Sequence, residues 1–362
     1  MPFDLRSPHP ATAQHAGGNP RAIAWWLLGV AAMVWIMVAI GGATRLTGSG
    51  LSIMEWAPIS GILPPLTEAE WRRLYDLYRT IPQYELVNRG FGLEGFKQIF
   101  WLEWIHRLWG RLIGLAYLLP LAWFWASGRI PPGYRWRLLG LLALGGLQGV
   151  VGWFMVASGF EPERTAVSPY RLVLHLGLAL VLYAALLWTA LTLLRPAPAP
   201  VGAEERAARL GVRRAVVLAT WLLVAAMLAG GFVAGLRAGF DYNTFPLMDG
   251  RLVPEGYAML SPFWRNMTGN VAAVQFNHRL LATLAGLAAL GAAALAWCRL
   301  PPGRARLACL ALGGATLLQY ALGVATLLLV VPVWLGTLHQ ATAVLVLSAA
   351  LLALHALRAP AR

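Results

Sequence analysis

The amino-acid sequence predicts an all-α membrane protein of eight transmembrane helices, arranged as two tandem, pseudo-symmetric four-helix bundles. Three observations carry that prediction. Only 12% of the 362 residues are charged and 59% are hydrophobic, whereas a soluble domain carries about 25% charge. Apolar runs of about 20 residues, enough for one bilayer crossing, recur along the chain. Features of the first half also return, in order, in the second.

The runs lie at about 22–43, 101–125, 138–157, 171–194, 214–235, 273–297, 307–330 and 335–357. The first follows a polar tail, 1–21, without a small-residue cleavage site, and is read as a helix rather than a signal peptide. Residues 22–194 form the N-terminal half and 214–357 the C-terminal half. The Pro/Ala-rich and charged stretch 195–213 reads as the linker, and 358–362 as a second tail. The one long connection inside a half, 44–100, carries Trp56, Trp71, Tyr75, Tyr78 and Tyr84. Within it, Glu68–Tyr78 has acids at its start and apolar residues at helical spacing, which predicts a short interfacial helix across the mouth of the first half. An aromatic anchor in the membrane interface is the plainer reading of the same residues. The connection 236–271 is its counterpart in the second half.

A net charge of +14 raises the question of nucleic acid, but its distribution answers it. With the N-terminus inside, the cytoplasmic segments hold 15 of the 29 basic residues and three of the 15 acids (Asp4, Glu204, Glu205). That is the positive-inside bias, and it predicts both termini in the cytoplasm of a bacterial inner-membrane protein, with no nucleic-acid partner. Cys298 and Cys309 flank the short cytoplasmic connection between the sixth and seventh spans and read as small hydrophobes rather than redox or metal groups.

The repeat is visible in four places. Glu103-Trp104-Ile105-His106-Arg107-Leu108 matches Gln275-Phe276-Asn277-His278-Arg279-Leu280, and Leu147-Gln148-Gly149-Val150 matches Leu318-Gln319-Tyr320-Ala321. Leu174-His175-Leu176 matches Leu338-His339-Gln340, and Gly41-Gly42 matches Gly230-Gly231. Each half has an even number of spans, so the two are parallel repeats.

Of seven histidines, His9 and His15 lie in the polar tail and His355 at the cytoplasmic end of the last span; all three read as solvated or interfacial. The other four, His106, His175, His278 and His339, stand near the starts of the even-numbered spans. They therefore share one depth, near the periplasmic face. An imidazole inside a membrane helix turns toward the bundle interior, where an interhelical hydrogen bond would satisfy it. One pair per repeat at equal depth is instead what a bis-imidazole metal site requires. Zinc would call for four ligands or an open water position. Two opposed histidines among Gly and Ala suit a porphyrin, which brings four donors of its own, so each pair predicts a haem. Glu103, one turn before His106, places a carboxylate beside the first pair, where the second has Gln275. It reads either as an acid/base group or as an interfacial carboxylate paired with Arg107 or Arg111. Arg107 and Arg279 suit haem propionates or snorkelling to the surface.

The runs Gly41-Gly42-Ala43-Thr44-Arg45-Leu46-Thr47-Gly48-Ser49-Gly50-Leu51-Ser52, Glu103-Trp104-Ile105-His106-Arg107-Leu108-Trp109-Gly110-Arg111 and Phe276-Asn277-His278-Arg279 resemble the haem A synthase family, in its alphaproteobacterial and mitochondrial branch. The resemblance covers about residues 25–350. It implies an oxidoreductase that converts the C8 methyl of haem O to a formyl, giving haem A for cytochrome oxidase assembly. It also implies haem b as cofactor on His278 and His339, a substrate haem at His106 and His175, and a role in the chemistry for Glu103. Haem O synthase, oxidase assembly factors, membrane lipid and a second copy of the chain are the partners it suggests. Gram-positive relatives carry a cysteine pair in the first external loop; none stands in 44–100 here. The rival reading is a quinol-linked dihaem b-type electron carrier. Such a carrier has no need of the Glu103/Gln275 difference, and more often sets its haems at different depths.

Overall fold

Each half of the molecule closes a ring of four long helices and holds its histidines on the diagonal. In the computed structural model, which describes residues 19–58, 60–162, 164–195 and 201–358, these are α1 (Pro20–Leu46), α4 (Leu93–Ala126), α5 (Arg135–Ala157) and α6 (Pro169–Leu194), then α7 (Ala203–Gly235), α9 (Val271–Arg299), α10 (Arg304–Leu328) and α11 (Val333–Ala356). Three short helices, α2 (Glu68–Tyr78), α3 (Pro82–Leu86) and α8 (Asn266–Gly269), lie in the two long connections. All eight long helices are apolar enough to cross a membrane. Among the described residues there is no strand, only a single bridge between Met248 and Arg251.

Neighbouring helices pack as α1–α4, α4–α5, α5–α6 and α6–α1 in one ring, and as α7–α9, α9–α10, α10–α11 and α11–α7 in the other. The rings meet through α1 on α11 and through α6 on α7 and α11. Trp35 Nε1 donates to the Ala341 carbonyl and Gln340 Nε2 to that of Val38, while Tyr183 and Ser348 share a hydroxyl bond across the same seam. The continuous apolar core runs along this seam, from Ile23, Leu27 and Val34 of α1 to Leu186 of α6 and Val344 of α11.

Several boundaries differ from the sequence reading, for local reasons. Helix α4 begins at Leu93, two turns before the expected 101, because Phe96, Ile99 and Phe100 continue an apolar stripe that buries against Tyr78 and Ile81. Helix α7 begins at Ala203, so the charged part of the expected 195–213 linker is helical. Glu204 and Glu205 occupy its first turn, where acids suit the helix dipole, and Arg209 bonds back to Glu205. Residues 1–18 and 359–362 of the expected tails, and 196–200 of the linker, lie outside the described residues. Helix α2 spans the expected Glu68–Tyr78, with the Thr67 hydroxyl accepting from Glu70 N at 3.2 Å as its N-cap.

The 47–92 connection lies over the end of the first ring that holds His106 and His175. Its aromatic residues pack with those of α4: Trp71 on Phe100 at 4.8 Å and Tyr78 on Phe96 at 5.4 Å between ring centroids. Arg73 grips Glu55 with both guanidinium nitrogens, at 2.9 and 3.1 Å, and holds the Glu55 carboxyl below its ordinary range.

Candidate functional site

The four histidines lie on α4, α6, α9 and α11, the diagonal helices of their rings. Each His helix starts at the end that carries the long connections. His175, His278 and His339 lie about two turns inside α6, α9 and α11, and His106 deeper in α4 only because that helix starts early. Diagonal helices are separated by the width of the bundle, so a space remains between them.

A glycine on the preceding helix of the ring makes room for every imidazole. A Cβ on Gly41 would lie 3.1 Å from His106 Cε1, and one on Gly152 3.0 Å from His175 Cε1. The same atom on Gly230 would lie 3.0 Å from His278 Cε1, and on Gly323 2.9 Å from His339 Cε1. Any larger residue at these positions would force the ring or the backbone to shift. Gly152 and Gly323 keep the 171-residue spacing of Gln148 and Gln319, a signal that was present in the sequence and could have found both.

The two pairs differ at the ring nitrogens. His278 Nδ1 donates to the Ala226 carbonyl at 2.9 Å, which leaves the lone pair on Nε2, the nitrogen a metal would take. His106 Nδ1 is buried and has no hydrogen-bond partner among the described residues. The second histidine of each pair meets a glutamine. Gln148 Nε2 lies 3.2 Å from His175 Nδ1, and Gln319 Nε2 lies 3.1 Å from His339 Nδ1.

Glu103 is only 3% exposed and its two oxygens are fully engaged. Oε2 accepts from Ser52 Oγ at 2.7 Å and from Ile53 N at 2.9 Å; Oε1 accepts from Arg107 Nε at 3.1 Å and Nη2 at 2.7 Å. Arg107 goes on to donate to the carbonyls of Ile53 and Glu55, and Arg111 to those of Ala57 and Pro58. Of the partners expected from sequence, Arg107 is the one the carboxylate meets. Gln275, 2% exposed, occupies the matching place with reversed polarity: its Nε2 donates to the carbonyls of Ala238 and Asp241, and its Oε1 accepts from Arg279 at 2.9 Å. Arg279 holds the Tyr242 and Thr244 carbonyls. Both arginines thus pin the long connections to the ring ends.

Among the described residues, no three His, Cys, Asp or Glu side chains cluster closely enough to bind a metal unaided. A ligand at either pair must bring most of its own donors. Paired imidazoles on diagonal helices, glycine clearances and a buried unpartnered Nδ1 fit a planar, iron-bearing macrocycle. Cys298 is exposed and Cys309 buried, both unbonded and far along the chain from the histidines.

Comparison with known proteins agrees with these features. The family model described as COX15-CtaA, cytochrome oxidase assembly protein, matches residues 24–351. A protein of Granulibacter bethesdensis named "Heme A synthase" is 56% identical over 98% of this chain and 91% of its own length. One of that name from Rhodospirillum centenum is 50% identical over 97% of this chain and 92% of its own. "Heme A synthase 2" of Acidiphilium cryptum is 48% identical over 93% of this chain and 92% of its own.

Proposed function

The chain belongs to the COX15-CtaA family of cytochrome oxidase assembly proteins, and from that premise we propose that it is a haem A synthase, an oxidoreductase that converts the C8 methyl of haem O to a formyl. The observation that carries this reading is the pair of like-built histidine sites that differ in their fixed partners.

The C-terminal site is the one suited to a resident cofactor. The Ala226 carbonyl sets His278 in the tautomer that offers Nε2, and Gln319 holds His339 from the other side. His278 and His339 would hold haem b, which would supply a one-electron couple there. The N-terminal site suits a haem that comes and goes, because His106 Nδ1 has no hydrogen-bond partner among the described residues. We assign haem O, the substrate, to His106 and His175. The halves 22–194 and 214–357 thereby divide the work into substrate and cofactor.

Around the first site, Glu103, Arg107 and Arg111 hold residues 52–58 against the ring, and Trp56 packs on Trp153 of α5 at 4.9 Å. The Ser52 hydroxyl on Glu103 Oε2 is the route by which the carboxylate can exchange a proton while keeping Arg107. The charge bias supports cytoplasmic termini, with the sites near the periplasmic face of the inner membrane. Haem O synthase, oxidase assembly factors and a second copy of the chain are the partners this activity suggests.

Haem identification in the purified protein, with and without co-expressed haem O synthase, tests the reading. Haem b together with haem O or haem A is expected when the synthase is present. Haem b alone under both conditions would favour the dihaem electron carrier.

A further inference from the structure

The two rings are closed differently on one side. In the C-terminal half a side chain bridges α10 and α9, where the Tyr320 hydroxyl lies 2.9 Å from that of Thr283. Farther from the histidines the two backbones nearly touch, since a Cβ on Gly313 would lie 2.9 Å from the Ala293 Cβ. Ala285, Ala289 and Ala292 of α9 are buried along this side, as are Leu312 and Thr316 of α10.

The repeat carries Tyr320 onto Gly149 and Thr283 onto Arg111, by the spacings that relate Gln319 to Gln148 and His278 to His106. Neither residue closes the N-terminal ring. Arg111 is drawn away to the carbonyls of Ala57 and Pro58, and Gly149 has no side chain to send across. A Cβ on Gly149, or on Gly145 one turn before it, would meet nothing within 4 Å, and both glycines are exposed. Of the 23 residues of α5, only Leu138 and Leu141 are buried, both in its first two turns. There Tyr117 of α4 donates to the Leu138 carbonyl at 2.8 Å. At the other end of α5, Trp153 packs on Trp56 of the cover. Between Leu141 and Trp153 the helix rises about 18 Å, and over that length its side toward α4 is built of glycine.

Both helices are apolar enough to cross a membrane, so the opening faces lipid. It adjoins the histidine pair, because Gln148 meets His175 and Gly152 clears the same ring. Haem b and haem O share one macrocycle and differ at one substituent, a vinyl group in the first and a hydroxyethylfarnesyl chain in the second. A packed bundle has no space for such a chain, whereas lipid tails are as apolar as the chain itself. The sealed half suits the haem without a tail, and the open half suits the haem that has one.

We propose that the opening between α4 and α5, left where Gly149 stands in place of Tyr320, takes the farnesyl tail of haem O. Gly145 and Gly149 thereby make the N-terminal site selective for a tailed haem. This rests on the assignment of the substrate to His106 and His175.

The test titrates the full-length protein, purified with its resident haem, with haem O and separately with free haem b, reading uptake from the Soret band. Gly149→Tyr is expected to weaken uptake of haem O about tenfold, the scale of overpacking a filled site, and to leave uptake of free haem b unchanged. Gly145→Leu, on the same side of α5, should act in the same direction and carries the test if the larger ring unsettles the fold. Gly140→Leu, on the opposite side and also with nothing within 4 Å, should match the wild type for both haems. Resident haem at the wild-type level reports that each variant is folded. Equal losses for haem O and free haem b would mean that the new side chain blocks the macrocycle, and would overturn the proposal. Unchanged uptake of haem O in both Gly149→Tyr and Gly145→Leu would overturn it as well, while leaving the substrate assignment standing. Failure of the wild type to take up haem O refutes that assignment itself.

Discussion

Arg107 clasps Glu103 through two guanidinium nitrogens one turn further along α4, and the carboxylate is almost fully buried. The pair joins the first site to the segment that covers it, since each partner also bonds the backbone of Ile53. Removing one charge from a buried pair is costly, because the other stays behind without a counter-ion.

Glu103→Gln is therefore expected to destabilise the protein by about 3 kcal/mol and to cut conversion of haem O to haem A. Gln275 does not predict a benign outcome. Its amide faces two carbonyls, whereas an amide at 103 would face the Ile53 N–H and a serine hydroxyl. Thermal unfolding in detergent and haem A yield in cells are the measurements. A wild-type conversion rate in Glu103→Gln would remove this carboxylate from the chemistry.

His278→Ala and His339→Ala are each expected to lose the resident haem b. His106→Ala and His175→Ala should keep it and fail to make haem A. Pyridine haemochrome spectra of the four purified variants give the answer, and haem b content that is equal in all four would sink the division into substrate and cofactor halves.

A methyl group at Gly323 would press on the His339 ring from 2.9 Å, where the ring has no flexible end to yield. Gly323→Ala should broaden or shift the haem spectrum and weaken haem retention. Gly314→Ala, on the same helix with nothing within 4 Å, is the control. It should leave the spectrum alone and gain about 0.5–1 kcal/mol from helix propensity. Matching spectra in the two variants would deny the glycine its clearance role.

Acid should loosen the 47–92 cover. Arg73 holds the Glu55 carboxyl below its ordinary value of 4.5, so the ion pair adds stability at pH values above that. The contribution is lost as pH falls through the lowered folded value. Both side chains are about half exposed, which keeps the effect to about 1 kcal/mol or less. Hydrogen exchange of residues around Glu55 should rise on acidification below pH 4.5, and Arg73→Ala should flatten that rise. An acid response of the same size in Arg73→Ala would assign it to another group.

Much of the fold and the histidine sites is legible in the residues alone, and the reasons are local. Hydropathy over one crossing length locates all eight spans, and acids before an apolar stripe place α2 at Glu68–Tyr78. The histidine quartet is readable because an imidazole in an apolar helix stands out against its neighbours. The early starts of α4 and α7 are hidden for a related reason. Their first turns are amphipathic or charged, so a search for uninterrupted apolar residues passes over them.

By itself the sequence determined the fold class and its eight spans and singled out four histidines within them, since those follow from periodicity and residue type along one dimension. The tertiary structure decided what each group touches. Arg107 and Arg279 reach backbone carbonyls far away in the chain, four glycines clear space for rings on other helices, and two glutamines stand behind histidines of the next helix. It also decided that Ala226 partners His278 while His106 Nδ1 has no such partner among the described residues. Contacts of that kind depend on how helices turn against one another, and a main-chain carbonyl carries no mark in the residue code that would announce them.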